Sequence, residues 1–174
     1  MEEVILVDEF DNPIGTMEKL EAHGSGQLHR AFSILIFNSK GQLLLQKRAE
    51  SKYHSGGLWT NTCCSHPRPD ENTDQAAKRR LEEEMGLSAD LQWCFSFQYE
   101  IDFDNGLTEH ELDHVFIGKS DSTPEISNDE ASDYKYVDLA WLKVDMKENP
   151  SNYTHWFGII MSKLDQHYEV VKEL

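Results

Sequence analysis

Two pairs of apolar runs, each broken by a short polar turn, restrict this chain more than any other feature of its sequence. AFSILIF (31–37) passes through NSKG into QLLLQKR (42–48), and LQWCFSFQYEIDF passes through DNG into LTEHELDHVFIGK. Aliphatic and aromatic runs of this length, bounded by Asn, Asp, Gly and Ser, predict two β-hairpins. EVILVDEF reads as a further strand closed by the turn DNPIG. Helical spacing appears in two places. TDQAAKRRLEEEMG (73–86) offers Thr73 as a cap, an apolar stripe of Ala76, Ala77 and Leu81, and Gly86 just past the last turn. From about Thr154 the tail carries Trp156, Ile159, Ile160, Leu164 and Val171 at helical intervals. Strands with a few interleaved helices predict an α+β or α-β-α sandwich, a mixed β-sheet packed between helices.

No repeat, low-complexity tract or Gly/Ser/Pro linker divides the 174 residues, so residues 1–174 are expected to form one domain. The polar stretch GKSDSTPEISNDEASD (118–133) reads as a surface loop. Sixteen Lys and Arg against 32 Asp and Glu give a formal net charge of −16, which repels a phosphate backbone or anionic lipid over most of the surface. Nucleic acid and membrane are therefore excluded as expected partners, and an anionic substrate would need a local basic pocket. Three cysteines are an odd number, and adjacent Cys63 and Cys64 are poorly placed to bridge each other. With an acidic N-terminus, MEEVILVDEF, lacking a basic n-region, the expectation is a cytoplasmic protein with reduced thiols.

Side chains alternate along a strand, so in LTEHELDHVF Glu109, Glu111 and Asp113 share one side and His110, Leu112 and His114 the other. A solvated strand face explains that pattern on its own. Further donors stand in two short segments: AHGSGQLH holds His23 and His29, and Cys64-Ser65-His66 adds a thiol and a third imidazole. Three histidines with two glutamates suit a mixed nitrogen and oxygen site for a divalent transition metal, although no tight spacing such as HExxH marks one. On the predicted helix Arg80 and Glu84 are four apart and share a face with Glu83, which reads plainly as a surface salt bridge. Trp59 and Trp93 read as core or wall, Cys94 as a buried small hydrophobe, and His54 and His155 receive no role.

The run from Ser65 to Leu87, S-x5-E-x7-RRL-x-EE-x-GL, resembles the Nudix box, with Glu71, Arg79, Leu81, Glu83, Glu84, Gly86 and Leu87 in register. Ser65 replaces the first glycine of that box. Arg80 replaces a glutamate that binds the hydrolytic metals in Nudix enzymes. A guanidinium cannot ligate a metal but can hold a diphosphate oxygen. Together with EKLEAH (18–23), LHRAFS (28–33), KRAESK (47–52), GLWTNTCCSHP (57–67) and TEHELDHVF (108–116), the chain looks like the type 1 isopentenyl-diphosphate isomerases, a branch of the Nudix fold.

The resemblance implies a reaction, interconversion of isopentenyl and dimethylallyl diphosphate in isoprenoid biosynthesis, through a tertiary carbocation-like state and without a redox cofactor. It implies a metal site of His23, His29, His66, Glu109 and Glu111 for Mn2+ or Zn2+, with Mg2+ as the alternative, and a diphosphate-linked Mg2+ at Glu84. Lys19, Arg48, Lys52 and Arg80 fall at the family's diphosphate contacts, Trp156 at its aromatic wall, Cys64 at its catalytic thiol, and Glu111 beside Tyr99 at its second proton-transfer group. Glu111 is expected to protonate the terminal methylene while Cys64 removes the C2 proton, although the opposite assignment fits the sequence equally well. The implied partner is a small prenyl diphosphate, and the protein a monomer or weak dimer. The rival readings are a Nudix diphosphohydrolase, because Glu71, Glu83 and Glu84 remain, and a non-catalytic metal-binding module.

Overall fold

The computed structural model describes residues 2–167. Its strands are β1 (Glu3–Val7), β2 (Pro13–Glu18), β3 (His29–Phe37), β4 (Leu43–Arg48), β5 (Trp59–Thr60), β6 (Cys63–Ser65), β7 (Leu91–Asp102), β8 (Thr108–Lys119) and β9 (Ala131–Val137). The helices are α1 (Lys19–Ser25), α2 (Thr73–Met85), α3 (Leu139–Glu148) and α4 (His155–Leu164). Both predicted hairpin pairs exist, but only the second is a long ladder. β7 and β8 pair antiparallel from Leu91↔Gly118 to Asp102↔Thr108, whereas β3 and β4 meet at Phe37↔Leu43 alone. β3 diverges because its edges are taken by β6 on one stretch and by β8, in parallel, from His29↔Glu111 to Phe37↔Lys119. The sheet is therefore mixed, with β3 at its centre.

Alternation along β3 builds two cores. Leu35 and Phe37 pack with Val115, Ile117, Phe157 and Ile160 on the α4 side, while Phe32, Ile34 and Ile36 pack with Ala76, Ala77, Leu81 and Met85 of α2. The expected sandwich of helix, sheet and helix follows. Each fully buried aliphatic or aromatic side chain contributes about 1.5–3 kcal/mol, so the two clusters, not local propensity, hold the layers together. Val171 of the predicted tail stripe lies outside the described residues.

Several boundaries differ from the sequence expectation. Asn72, not Thr73, occupies the cap position of α2, and it makes no side-chain cap hydrogen bond. DNPIG is only partly a turn: Pro13 already begins β2, which closes antiparallel on β1. Trp93 is exposed, not core or wall, because an irregularity between Trp93 and Phe95 interrupts the register of β7 and turns Cys94 and Phe95 inward together. Gly86 does end α2, at φ +63°, and a Cβ there would stand 2.7 Å from Glu125 Cβ. The neighbouring stretch 118–133 is the expected surface loop between β8 and β9, with its ends taken into those strands, and it is docked on α2. Glu125 N–H donates to Met85 O at 2.8 Å and Ser127 N–H to Glu84 O at 2.9 Å, satisfying carbonyls that the end of α2 leaves open.

Candidate active site and metal centre

Helix α1, which carries the first of the two short donor segments and shows no helical period in the sequence, brings His23 into the interior. Glu18 caps it by accepting from Glu21 N–H at 2.9 Å, and Gly26 terminates it at φ +67°. One turn of helix places His23 Nδ1 2.7 Å from Lys19 O. A carbonyl only accepts, so Nδ1 carries the proton and Nε2 keeps its lone pair. Gln27 O fixes His29 in the same way, 2.8 Å from Nδ1. His29 pairs across the ladder with Glu111 of β8, and alternation along β8 buries Glu109, Glu111 and Asp113 while His110 and His114 reach instead to Gly26 O and Asp11.

Strand β6 separates the two cysteines by the same rule. Cys63 is fully buried among the α2 residues, and Cys64, half-buried, packs on the opposite side and lines a cavity. That cavity has a volume of about 550 Å3, and every predicted site residue except His23 and His29 lines it. Those two are fully buried, with rings close to the lining residue His66: centroids lie 5.8 Å (His23) and 5.1 Å (His29) from it. Tyr99 O–H donates to Glu111 Oε2 at 2.8 Å, and Glu111 Oε1 lies 2.8 Å from His66 Nε2. Trp156 is anchored by its indole N–H to Asn61 Oδ1 at 3.2 Å, and Arg48 Cζ stands 5.2 Å from the ring centroid.

The expected diphosphate cations are gathered, but three of them are paired with carboxylates. Arg80 donates to Glu83 at 2.7 Å, Glu84 at 2.6 Å and Glu130 at 2.8 Å; Lys52 also bonds Glu130, and Lys19 lies 3.1 Å from Glu2. Arg48 donates to His54 O at 3.1 Å and leaves its Nε unpartnered. Burial alone would raise Glu130, yet hydrogen bonds from Lys52 and Arg80 bring it down to about 2. Glu130, Tyr53 and His54 also line the cavity and were missed by the sequence reading. Glu130 lies in a polar stretch with no periodicity, and His54 follows Lys52 by two residues in a loop, where alternation says nothing about direction.

The protonation states follow from burial and neighbours. Desolvation pushes the Cys64 thiol up despite the nearby Arg48 guanidinium, so it holds its proton at neutral pH. Desolvation would also raise Glu111, but the His29 and His66 imidazoles hold it well below the usual carboxylate range. Glu109 is pushed up by desolvation and by the charge on Glu111. His66 is lowered to about 4 and His54 to about 3, in each case chiefly by burial.

The donor set fits a divalent cation. One ligand atom each from His23, His29, His66 and Glu111 lies within 4.8 Å of the others, and a second group of that tightness joins His23, His54 and Glu109. His23 Nε2, His29 Nε2, His54 Nε2 and Glu109 Oε2 are buried without a hydrogen-bond partner. Each such atom costs about 1–3 kcal/mol, which a folded interior tolerates where an ion supplies the missing partner. The 2.8 Å between His66 Nε2 and Glu111 Oε1 also approximates the roughly 3 Å between neighbouring donors on an ion with bonds of about 2.1 Å.

Fold and site both have counterparts among known proteins. A model of the NUDIX domain matches residues 27–157, and the chain belongs to that family. Among solved structures it resembles DR0079 from Deinococcus radiodurans, with a TM-score of 0.76 at 18% identity over 96% of this chain and 99% of the other. It also resembles the MutT protein from Methanosarcina mazei, with a TM-score of 0.67 at 20% identity over 80% and 94%. Identities so low speak for the fold alone. Curated relatives are far nearer: isopentenyl-diphosphate Delta-isomerase 1 of Aromatoleum aromaticum is 57% identical over 94% of this chain and 92% of its own length. The isopentenyl-diphosphate Delta-isomerase of Pectobacterium atrosepticum is 52% identical over 98% and 95%. Within the NUDIX family the chain belongs to the isopentenyl-diphosphate Delta-isomerases.

Proposed function

We propose that this chain interconverts isopentenyl diphosphate and dimethylallyl diphosphate by adding a proton at one carbon and removing one at another, as a single catalytic domain over residues 1–174. One observation carries the reading: Cys64 and the hydrogen-bonded pair Tyr99–Glu111 open into the same cavity as Lys19, Arg48, Lys52 and Arg80. Proton-transfer groups thus stand beside a pocket for an anion. Cys64 and Glu111 come from β6 and β8, which pair with β3 and so reach the cavity from different strands.

In the forward direction Glu111, hydrogen-bonded by Tyr99, delivers a proton to the terminal methylene, and Cys64 takes the proton from C2. Positive charge develops between these events at the tertiary carbon. The Trp156 face suits such a charge, since the Arg48 guanidinium already stands over it. A thiol at Cys64 with a carboxylate at Glu111 is the pair as a forward turn leaves it. It is also the starting pair for the reverse direction, and it starts the forward direction directly in the opposite assignment, in which Cys64 donates to the methylene and Glu111 takes the C2 proton. His23, His29, His66, Glu109 and Glu111 would hold one ion, with Mn2+, Zn2+ or Mg2+ suiting the donors, and Glu84 would hold a diphosphate-linked Mg2+; such ions would supply electrostatic stabilisation of the bound anion. Lys19, Arg48, Lys52 and Arg80 hold the diphosphate, with Lys52 and Arg80 exchanging Glu130 for it. The acidic surface and free thiols fit work in the cytoplasm as a monomer or weak dimer.

The test is incubation with isopentenyl diphosphate, Mg2+ and Mn2+, followed by proton and phosphorus NMR. Dimethylallyl diphosphate with no inorganic phosphate is the expected result. Phosphate release from an unchanged hydrocarbon would return the chain to NUDIX hydrolysis.

A further inference from the structure

We infer that His54 is a further ligand of the ion held by His23, His29, His66, Glu109 and Glu111, and that it ties the loop carrying Lys52 to that ion. The inference rests on the metal centre of the proposed function and adds a residue to it. His54 belongs to the connection between β4 and β5, where a histidine would ordinarily face solvent. The connection instead folds tightly back on itself, with Gly57 N–H donating to Arg48 O at 3.1 Å and Lys52 N–H to Ala49 O at 3.2 Å. A Cβ on Gly56 would stand 2.7 Å from Glu50 O, so only glycine lets the chain pass there. Tyr53 and His54 are turned inward, and the His54 side chain is only 3% exposed.

Once inside, the imidazole finds no ordinary partner at Nε2. That nitrogen lies 3.4 Å from Glu109 Oε1, and it falls with Glu109 and His23 within a 4.8 Å group. Glu109 Oε2 and His23 Nε2 are likewise buried without hydrogen bonds. Unpartnered nitrogens of His23 and His54 gathered with the Glu109 carboxylate are what a cation would satisfy. One ion, not two, accounts for both groups. They share His23, whose Nδ1 is committed to Lys19 O, leaving a single nitrogen that binds one metal. The His54 ring is also held in place, stacked on Phe103 at 4.5 Å and 13° and edge-on to Trp156 at 5.9 Å and 89°. Its backbone oxygen accepts from Arg48, so the ion, the Lys52 loop and the Trp156 wall meet at one residue.

Packing on Phe103 alone would also bury a ring, and His54→Phe separates the two roles because it keeps the aromatic stack and removes the donor. Affinity for Mn2+ is measured by chelator competition in wild type, His54→Phe and His54→Ala, with amide hydrogen exchange over residues 49–58 with and without the ion. Wild type should bind Mn2+ and show ion-dependent protection of the loop. Both variants should lose affinity by at least about tenfold, and His54→Phe should lose the ion-dependent protection. Wild-type affinity and protection in His54→Phe would overturn the inference while leaving the metal centre standing. Failure of wild type to bind the ion would instead overturn the metal centre and the inference with it.

Discussion

Replacing Arg80 by Met should destabilise the ion-free protein by an amount set by one carboxylate. The guanidinium bonds Glu83, Glu84 and Glu130, but these partners are unequal. Glu83 is 39% exposed, and an exposed pair is worth about 0.2–1 kcal/mol. Glu84 is 4% exposed, and stranding a buried charge costs about 3–5 kcal/mol. Gln46 Nε2, 2.9 Å from Glu84 Oε2, stays as a donor and places the loss at the lower end, about 3 kcal/mol in all. At about 2–4 °C per kcal/mol for a domain of this size, Tm should fall by about 6–12 °C. The assay is thermal unfolding at pH 7 in EDTA. The double variant Arg80→Met with Glu84→Gln should recover about half the loss, because the stranded charge is gone. A fall of less than about 2 °C, or a double variant no better than the single, would refute the claim that Arg80 holds Glu84.

Tyr99→Phe removes a hydrogen bond to a buried carboxylate worth about 1.5–3 kcal/mol, so kcat should fall by about ten- to a hundredfold with little change in fold, read by NMR turnover and circular dichroism. The adjacent cysteines should behave oppositely: Cys64→Ala abolishes turnover with Tm nearly unchanged, whereas Cys63→Ala leaves turnover and costs about 1 kcal/mol, since only Cys63 fills the α2 core. Turnover in Cys64→Ala at the wild-type rate would contradict the role given to the thiol. Glu130 has a folded-state pKa depressed to about 2, so the stability it gives is complete above the ordinary carboxylate range and is lost as pH falls toward 2. Urea unfolding of Glu130→Gln against wild type across pH 5 to 2 should show the difference shrinking, and a difference independent of pH would remove Glu130 from the cation pocket.

Much of the site was legible because strand alternation is a local rule. Glu109, Glu111 and Asp113 on one side of β8, and Cys63 against Cys64 on β6, need no knowledge of the fold. Arg80 and Glu84 on one helical face follow from a spacing of four. What failed depended on contacts distant in sequence. Helix α1 has seven residues, two of them glycine or serine, and forms because Glu18 caps it and Ala22 and His23 are buried. Glu130 sits at the site because 118–133 docks on carbonyls left open by α2. The pairing of Lys52 and Arg80 with that carboxylate is a property of three segments together, and no window of sequence contains it. Trp93, read as core or wall, is exposed for a different reason, since one irregularity in β7 sets it out of step with the buried Phe95 and Phe97.

The central claim is that a proton enters the substrate at one carbon and leaves from another while the diphosphate stays whole. Turnover of isopentenyl diphosphate in D2O with Mg2+ and Mn2+, followed by NMR, tests it most directly. The account predicts dimethylallyl diphosphate carrying deuterium in a methyl group, with no inorganic phosphate. An allylic product free of deuterium, or released phosphate beside an unchanged hydrocarbon, would contradict it.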